Sequence, residues 1–355
     1  MRFSWMSLGI AVLVSGCGAE ATTSSFDASP TLDASPAQDS GPVDAGFAAD
    51  AEVQDDAGRQ DDAGVEDAGP HDAAIEDGGP GADAGTPSMV VLGGDRPANM
   101  KVPAGYDGSP LPLLILLHGY TVDGATQDFY FGLSNQVDAR NFFLILPDGT
   151  REASAAQNRF WNATSACCNF YGSAVDDVAY LTSLIDEASQ RFNIDPARVH
   201  LVGHSNGGFM AHRMACDVAP RIASIVSLAG VEHFDETLCD AASPVSVLQI
   251  HGTADTTIGY AGVAAGPMQY PGSEETALRW ATRAGCTVAQ TEDGADLNLD
   301  TALPGDETEV LRYSAGCTAG IEVELWRIVN GGHIPALPSD FASRVLDFTE
   351  AHPKP

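Results

Sequence analysis

Positive charge is scarce in this chain: 17 of its 355 residues are Lys or Arg against 49 Asp and Glu, for a formal net charge of −32. A surface so acidic repels phosphate backbones, which excludes nucleic acid as a partner. Aromatic residues make up only 7%. Beyond the first residues no stretch is long and apolar enough to read as a membrane-spanning helix. No Cys-x-x-Cys pair occurs, so the usual zinc signature is missing, and neither a metal nor a cofactor is expected.

The one apolar run of note comes first. Met1-Arg2-Phe3 and the apolar stretch through Val14 have the positive start and short core of an export signal. The run ends Leu13-Val14-Ser15-Gly16-Cys17, which resembles a bacterial lipoprotein box. Residues 1–17 then read as a lipoprotein signal ending at a lipidated Cys17. This predicts an exported protein, anchored at the outer membrane or cell surface or released outside the cell. From Gly18 to Ser88 the chain is mostly Ala, Asp, Gly and Pro, with Asp-Ala-Gly recurring at Asp44, Asp56, Asp62, Asp67 and Asp83. This segment has 17 acidic residues and one basic residue, Arg59, so it carries about half of the net charge. With little to bury and much self-repulsion, it is expected to be a disordered acidic spacer.

Residues 89–355 have the length of one large domain, expected to be monomeric. Six of the seven cysteines fall here: Cys167, Cys168, Cys216, Cys239, Cys286 and Cys317. An even number in an exported chain predicts disulfides. Cys286 with Cys317 is the favoured pair, because the two bracket one polar excursion. Cys167 and Cys168 are each expected to tie to Cys216 or Cys239.

Apolar runs at Leu111–Leu117, Phe142–Leu146, Val199–Val202, Ile222–Leu228, Val245–Ile250 and Val323–Val329 read as parallel strands covered on both faces. Met89–Val102 is expected to form leading antiparallel strands. Helices are predicted from Asp176 as N-cap to before Asp195-Pro196, and over Gly208–Ala219, Thr276–Ala284 and Ser339–Ala351. Alternating strands and helices imply a doubly wound, mostly parallel α/β sheet, with ligands bound beyond the carboxyl ends of the strands.

Chemistry enters at Gly203-His204-Ser205-Asn206-Gly207, which lies between an apolar strand and a helix. A serine held on such a strained turn needs flanking glycines and presents its hydroxyl outward, as the nucleophile of a serine hydrolase. In this fold the carboxylate and then the histidine follow in chain order. His333, in the loop Asn330-Gly331-Gly332 after a late strand, is the expected base; His352 sits in a terminal tail expected to be mobile. Asp255, just past the strand ending His251-Gly252, is the expected orienting carboxylate. The oxyanion hole is assigned to the amides of Asn206 and Tyr120, with Thr121 as second choice. Tyr120 and Trp161 are expected to bind substrate. His118, His204 and His251 read as structural histidines. Asp296, Asn298, Asp300 and Glu307 are spaced like calcium-loop ligands, but Thr301 stands where the turn glycine belongs, so no metal is assigned.

Several motifs occur together in order: Leu117-His118-Gly119-Tyr120, Pro147-Asp148-Gly149-Thr150, Trp161-Asn162 before Cys167-Cys168, and Val175-Asp176-Asp177-Val178. They continue with Gly203 to Gly208, His251 to Asp255, and Gly331-Gly332-His333. The set resembles the secreted polyhydroxybutyrate depolymerase and feruloyl esterase-like family of α/β-hydrolases. That resemblance implies hydrolysis of a carboxylic ester, polymeric or small, through an acyl-enzyme, with Ser205, Asp255 and His333 as the triad. Family members often place a Thr-Trp-Pro type sequence after the histidine, where this chain has Ile334-Pro335. A serine peptidase of the same fold and a non-catalytic surface-binding lipoprotein are the competing readings.

Overall fold

Strand-forming sequence dominates the carboxyl-terminal three quarters of the chain, and the computed structural model describes residues 88–241, 243–287, 292–293 and 296–355. These all fall in one compact unit, Glu76–Pro355. The predicted signal at 1–17 with Cys17, and the predicted spacer up to residue 87, lie outside the described residues.

The strands are β1 (Ser88–Leu92), β2 (Ala98–Val102), β3 (Leu111–Leu117), β4 (Phe143–Leu146), β5 (Thr150–Arg151), β6 (Arg159–Phe160), β7 (Ile194–His204), β8 (Ser224–Leu228), β9 (Ser246–Gly252), β10 (Glu292–Asp293), β11 (Thr308–Tyr313) and β12 (Val323–Ile328). Ten of them form one sheet in the order β1-β2-β4-β3-β7-β8-β9-β12-β11-β10, and β5 pairs with β6. From β4 to β12 every pairing is parallel, while the strands at both edges are antiparallel. The leading antiparallel pair is as expected. The late edge was not foreseen, because β11 is half polar and offers no apolar run.

The helices are α1 (Gly124–Phe131), α2 (Val137–Arg140), α3 (Asp177–Arg191), α4 (Asn206–Asp217), α5 (Ser273–Arg283) and α6 (Phe341–Ala351). Asp176 caps α3, its side chain accepting from Ala179 N–H, and Leu181, Leu184, Ile185 and Ala188 form the buried stripe. Alternate residues of the parallel strands feed two cores. Leu113, Ile115, Leu117 and Leu201 pack with α3, α4 and α5 on one face. Leu114, Leu116, Val202, Leu248 and Ile250 pack with α6 and Phe131 on the other. This two-sided burial accounts for the uninterrupted apolar runs.

Cys286 pairs with Cys317 as expected, but the other pairing differs: Cys216 bonds to Cys239, and Cys167 to Cys168. Cys239 lies 4.7 Å from Cys216 in Cα–Cα distance, within bridging reach. The loop holding Cys167 is instead tied to α4 by the Arg213 guanidinium, which donates to Asn162 O and Ala163 O. His352 is also not mobile. It is buried, with Nδ1 on Phe348 O at 2.7 Å and Nε2 on Glu322 at 3.1 Å, and Lys354 donates to the carbonyls of Ala219 and Ile222.

Candidate active site

The parallel order brings the carboxyl ends of β7, β9 and β12 to one rim, and each delivers one polar side chain. Ser205 follows β7 directly with φ 53° and ψ −120°, a conformation that is strained for any residue with a Cβ. Its N–H is held by Leu228 O at 2.8 Å. The turn closes only around glycine: a Cβ on Gly203 would overlap the Gly207 carbonyl, and one on Gly207 would overlap the Leu117 carbonyl. The helix α4 starts at Asn206, and its first amides have no partner within the helix.

After β9, Gly252 passes against Gly331 so closely that a Cβ there would overlap the Gly331 carbonyl. Ala254 N–H donates to Gly331 O at 2.9 Å, and Asn330 N–H to Thr253 Oγ1 at 2.8 Å. These contacts lay the Asp255 loop along the His333 loop. His333 Nδ1 lies 2.7 Å from Asp255 Oδ2, and His333 Nε2 lies 2.9 Å from Ser205 Oγ. With a carboxylate at Nδ1, that nitrogen carries the proton and Nε2 is left to accept from the serine hydroxyl.

Asp255 is buried and well supplied with donors. Its Oδ1 accepts from Thr257 and Ile258 N–H, at 2.8 and 2.9 Å. Burial alone would raise its pKa, but hydrogen bonds from His251 and His333 outweigh that and hold it well below the usual carboxylate range. Asp255 is therefore a fixed negative charge beneath the imidazole.

Ser205, His333 and Asp255 thus form one hydrogen-bonded line on a parallel sheet edged by antiparallel strands. A phospholipase/carboxylesterase family model matches residues 106–266, a stretch that holds Ser205 and Asp255. Feruloyl esterase B from Piromyces equi is 28% identical over 67% of this chain, which spans only 42% of that protein. A putative esterase, NocK, from Nocardia uniformis is 26% identical over 72% of this chain and 75% of its own length. Poly(3-hydroxyalkanoate) depolymerase C from Paucimonas lemoignei is 25% identical over 39% of this chain and 33% of its own. Among solved structures, an acetyl xylan esterase from Aspergillus awamori superposes with a TM-score of 0.55 at 15% identity, over 75% of this chain and 100% of that one. The chain has the α/β-hydrolase fold, and the proteins it resembles are carboxylic-ester hydrolases.

The remaining predicted residues take mixed positions. Thr121 N–H is already bonded to Arg159 O at 2.9 Å, which leaves the Tyr120 and Asn206 amides as the donors to consider for an oxyanion. The Tyr120 phenol donates to Glu152 at 2.5 Å and packs edge-on against Phe170, which is 56% exposed. Trp161 does not wall a cleft. It is completely buried, its Nε1 donates to His118 O at 3.0 Å, and its backbone N–H and carbonyl are both bonded by the Asn206 side chain, at 2.6 and 3.0 Å. Trp161 therefore fastens the elbow and does not face substrate.

His118 and His251 are structural, as expected. His118 accepts from Gly149 N–H at 2.7 Å, and His251 Nε2 lies 2.8 Å from Ile258 O and 3.3 Å from Asp255. His204 does more than pack: its Nε2 donates to His333 O at 3.0 Å. Glu152 was missed, since a single acid after Arg151 in a loop gives no sequence signal. Asp177, fully buried, bonds Arg96 at 2.6 Å and Asn162 N–H at 2.6 Å, which anchors the loop before the double cysteine. A concavity of about 670 Å³ between α6 and the β11–β12 edge has none of the triad or oxyanion-hole residues in its lining.

Proposed function

We propose that this hydrolase cleaves carboxylic esters through an acyl-enzyme formed on Ser205. The observation that carries the reading is the line Ser205–His333–Asp255, with the serine on a strained turn and the carboxylate buried. His333 Nε2 takes the Ser205 proton as Oγ attacks the ester carbonyl, and the tetrahedral oxyanion receives the amides of Asn206 and Tyr120. The same imidazole then returns the proton to the departing alcohol. Water, deprotonated by His333, releases the acid and regenerates Ser205. Asp255 keeps Nδ1 protonated and balances the imidazolium. The reaction balances with ester and water alone.

The substrate falls in the class of polyhydroxyalkanoate, feruloyl or acetyl esters, for which the names of the relatives are the support. Tyr120, Phe170 and Ile334 supply apolar surface beside the site, and Ile334, next to the base, is 68% exposed. The chain is read as exported through the signal at residues 1–17, with Cys17 as lipid anchor and the acidic segment as spacer. Three disulfides among the described residues are in keeping with an oxidising compartment, and no helix among those residues is long and apolar enough to cross a membrane.

Ser205→Ala is expected to lower kcat for p-nitrophenyl acetate by at least about 10⁴-fold with an unchanged melting temperature. A fluorophosphonate probe should label Ser205 in the parent and nothing in the variant. Full activity without Ser205, or no labelling of the parent, would sink the reading in favour of a binding protein. Faster cleavage of peptide amides than of short esters would make it a peptidase. A screen of polyhydroxybutyrate, feruloyl esters and acetylated xylan then assigns the acyl group.

A further inference from the structure

Within the segment spaced like a calcium loop, Glu307 Oε1 and Asp300 Oδ1 are turned to another use. Glu307 Oε1 accepts from Leu299 N–H and Asp300 N–H, both at 2.8 Å, and from Thr308 Oγ1 at 2.9 Å, which folds the segment on itself. Asp300 Oδ1 accepts from Ala302 N–H at 3.1 Å inside the segment and from Ala336 N–H at 3.0 Å outside it. Thr301 reaches the same residue from its other side: its N–H and its hydroxyl both donate to Ala336 O, at 2.8 and 2.9 Å. Ala336 is therefore gripped at both its N–H and its carbonyl. It lies three residues beyond His333.

Two further bonds fix the residues between them. The Tyr130 hydroxyl, from α1, donates to Pro335 O at 2.7 Å, and His204, from the elbow, donates to His333 O at 3.0 Å. Tyr130 also lies against the His204 ring at 5.7 Å between centroids. Ile334, the residue between these ties, is mostly exposed and contributes little packing of its own. Pro335 is itself buried and Leu337 packs against the α6 core, and hydrogen bonds from three separate elements fix the backbone of residues 333–336 between them.

We propose that Asp300 and Tyr130 are positioning residues for the base, clamping residues 335–336 so that His333 Nε2 meets Ser205 Oγ. The proposal rests on His333 being the base. Its physical content is geometric: a displacement of about 1 Å at the imidazole costs on the order of a hundredfold in rate, whereas ester binding by the rim is untouched. The effect therefore falls on kcat and not on KM.

The test uses the full chain with p-nitrophenyl acetate. Asp300→Ala is expected to lower kcat by about 10- to 100-fold with KM within about twofold. Asp300→Asn keeps an Oδ1 acceptor for Ala336 N–H and should restore kcat to within about threefold of the parent. Tyr130→Phe removes one hydroxyl and should lower kcat by about three- to tenfold, and it carries the test if Asp300→Ala does not fold. Parental kcat in both Tyr130→Phe and a folded Asp300→Ala would overturn the clamp, as would an Asn variant as impaired as the Ala variant. Loss of activity in EDTA that calcium restores would overturn it in favour of a metal loop. His333→Ala separates the two readings: if it is inactive while Asp300→Ala and Tyr130→Phe match the parent, only the clamp fails, whereas an active His333→Ala removes the base itself.

Discussion

Ser205 and His333 face each other across 2.9 Å, yet the chain holds them by opposite means. Around Ser205 the constraint is steric and local: Gly203, Gly207 and the Leu117 carbonyl meet so closely that only a glycine backbone fits. Downstream of His333 the constraint is a set of side-chain hydrogen bonds from residues 36, 129 and 205 positions away. One region is built by excluding atoms, the other by placing donors and acceptors. The first should break outright when an atom is added, and the second should loosen by degrees.

The same methyl group placed in both regions should affect them most differently. Gly207→Ala drives a Cβ into the backbone of β3, where no side chain can move aside. A loss of about 4 kcal/mol or more is expected, enough to leave little folded protein. At Gly332, beside the base, a Cβ meets nothing within 4 Å, so Gly332→Ala should keep stability to within about 1 kcal/mol. Thermal melts of the two variants decide it. A well-folded Gly207→Ala would mean that the elbow tolerates displacement and is not sterically fixed.

The same contrast explains what could be read in advance. Glycine spacing around Ser205 is a local record of close approach, so the elbow was legible, and the chain-order rule then led to Asp255 and His333. The six parallel strands were legible because both faces of each are buried. The clamp was not, because Tyr130 carries no signal, and Asp300 only that of a calcium-loop spacing, until the fold places them beside residues 335–336. Trp161 misled for a related reason. Aromatics near an active site can line it or support it, and only burial distinguishes the two. Cys167, Cys168, Cys216 and Cys239 misled as well, since sequence gives their number and not which Cα atoms lie within bridging distance.

The joint between the two regions is titratable. His204 belongs to the elbow and donates to the His333 carbonyl, and burial pushes its pKa down to about 4; His200 and His212, also buried, are pushed down to about 3. Against an ordinary value of 6.5, the unfolded chain binds these protons first as pH falls. Their stabilisation is thus fully present above 6.5 and is lost progressively toward 4, at up to about 1.4 kcal/mol per pH unit for each group. For His352 burial lowers the pKa, but bonds to Glu322 and Phe348 O outweigh it and leave it raised, so its contribution runs the other way. Three groups outweigh one, and the melting temperature should fall steadily from pH 6.5 to pH 4.5. A flat profile over that window would mean that these histidines are not buried and neutral.

At one edge the elbow also borrows a side-chain tie. Asn206 bonds both backbone groups of Trp161, so the elbow is also fastened to the loop after β6. Trp161→Phe keeps those backbone bonds and removes only the indole N–H from His118 O, along with some buried volume. A stability loss of about 1–3 kcal/mol follows from one lost buried hydrogen bond and a small cavity. Because the indole is wholly buried, KM values for a feruloyl and an acetyl ester should each stay within about twofold. A rise confined to the feruloyl ester would put the indole in contact with the acyl group, and the line between what supports the elbow and what meets substrate would have to be redrawn.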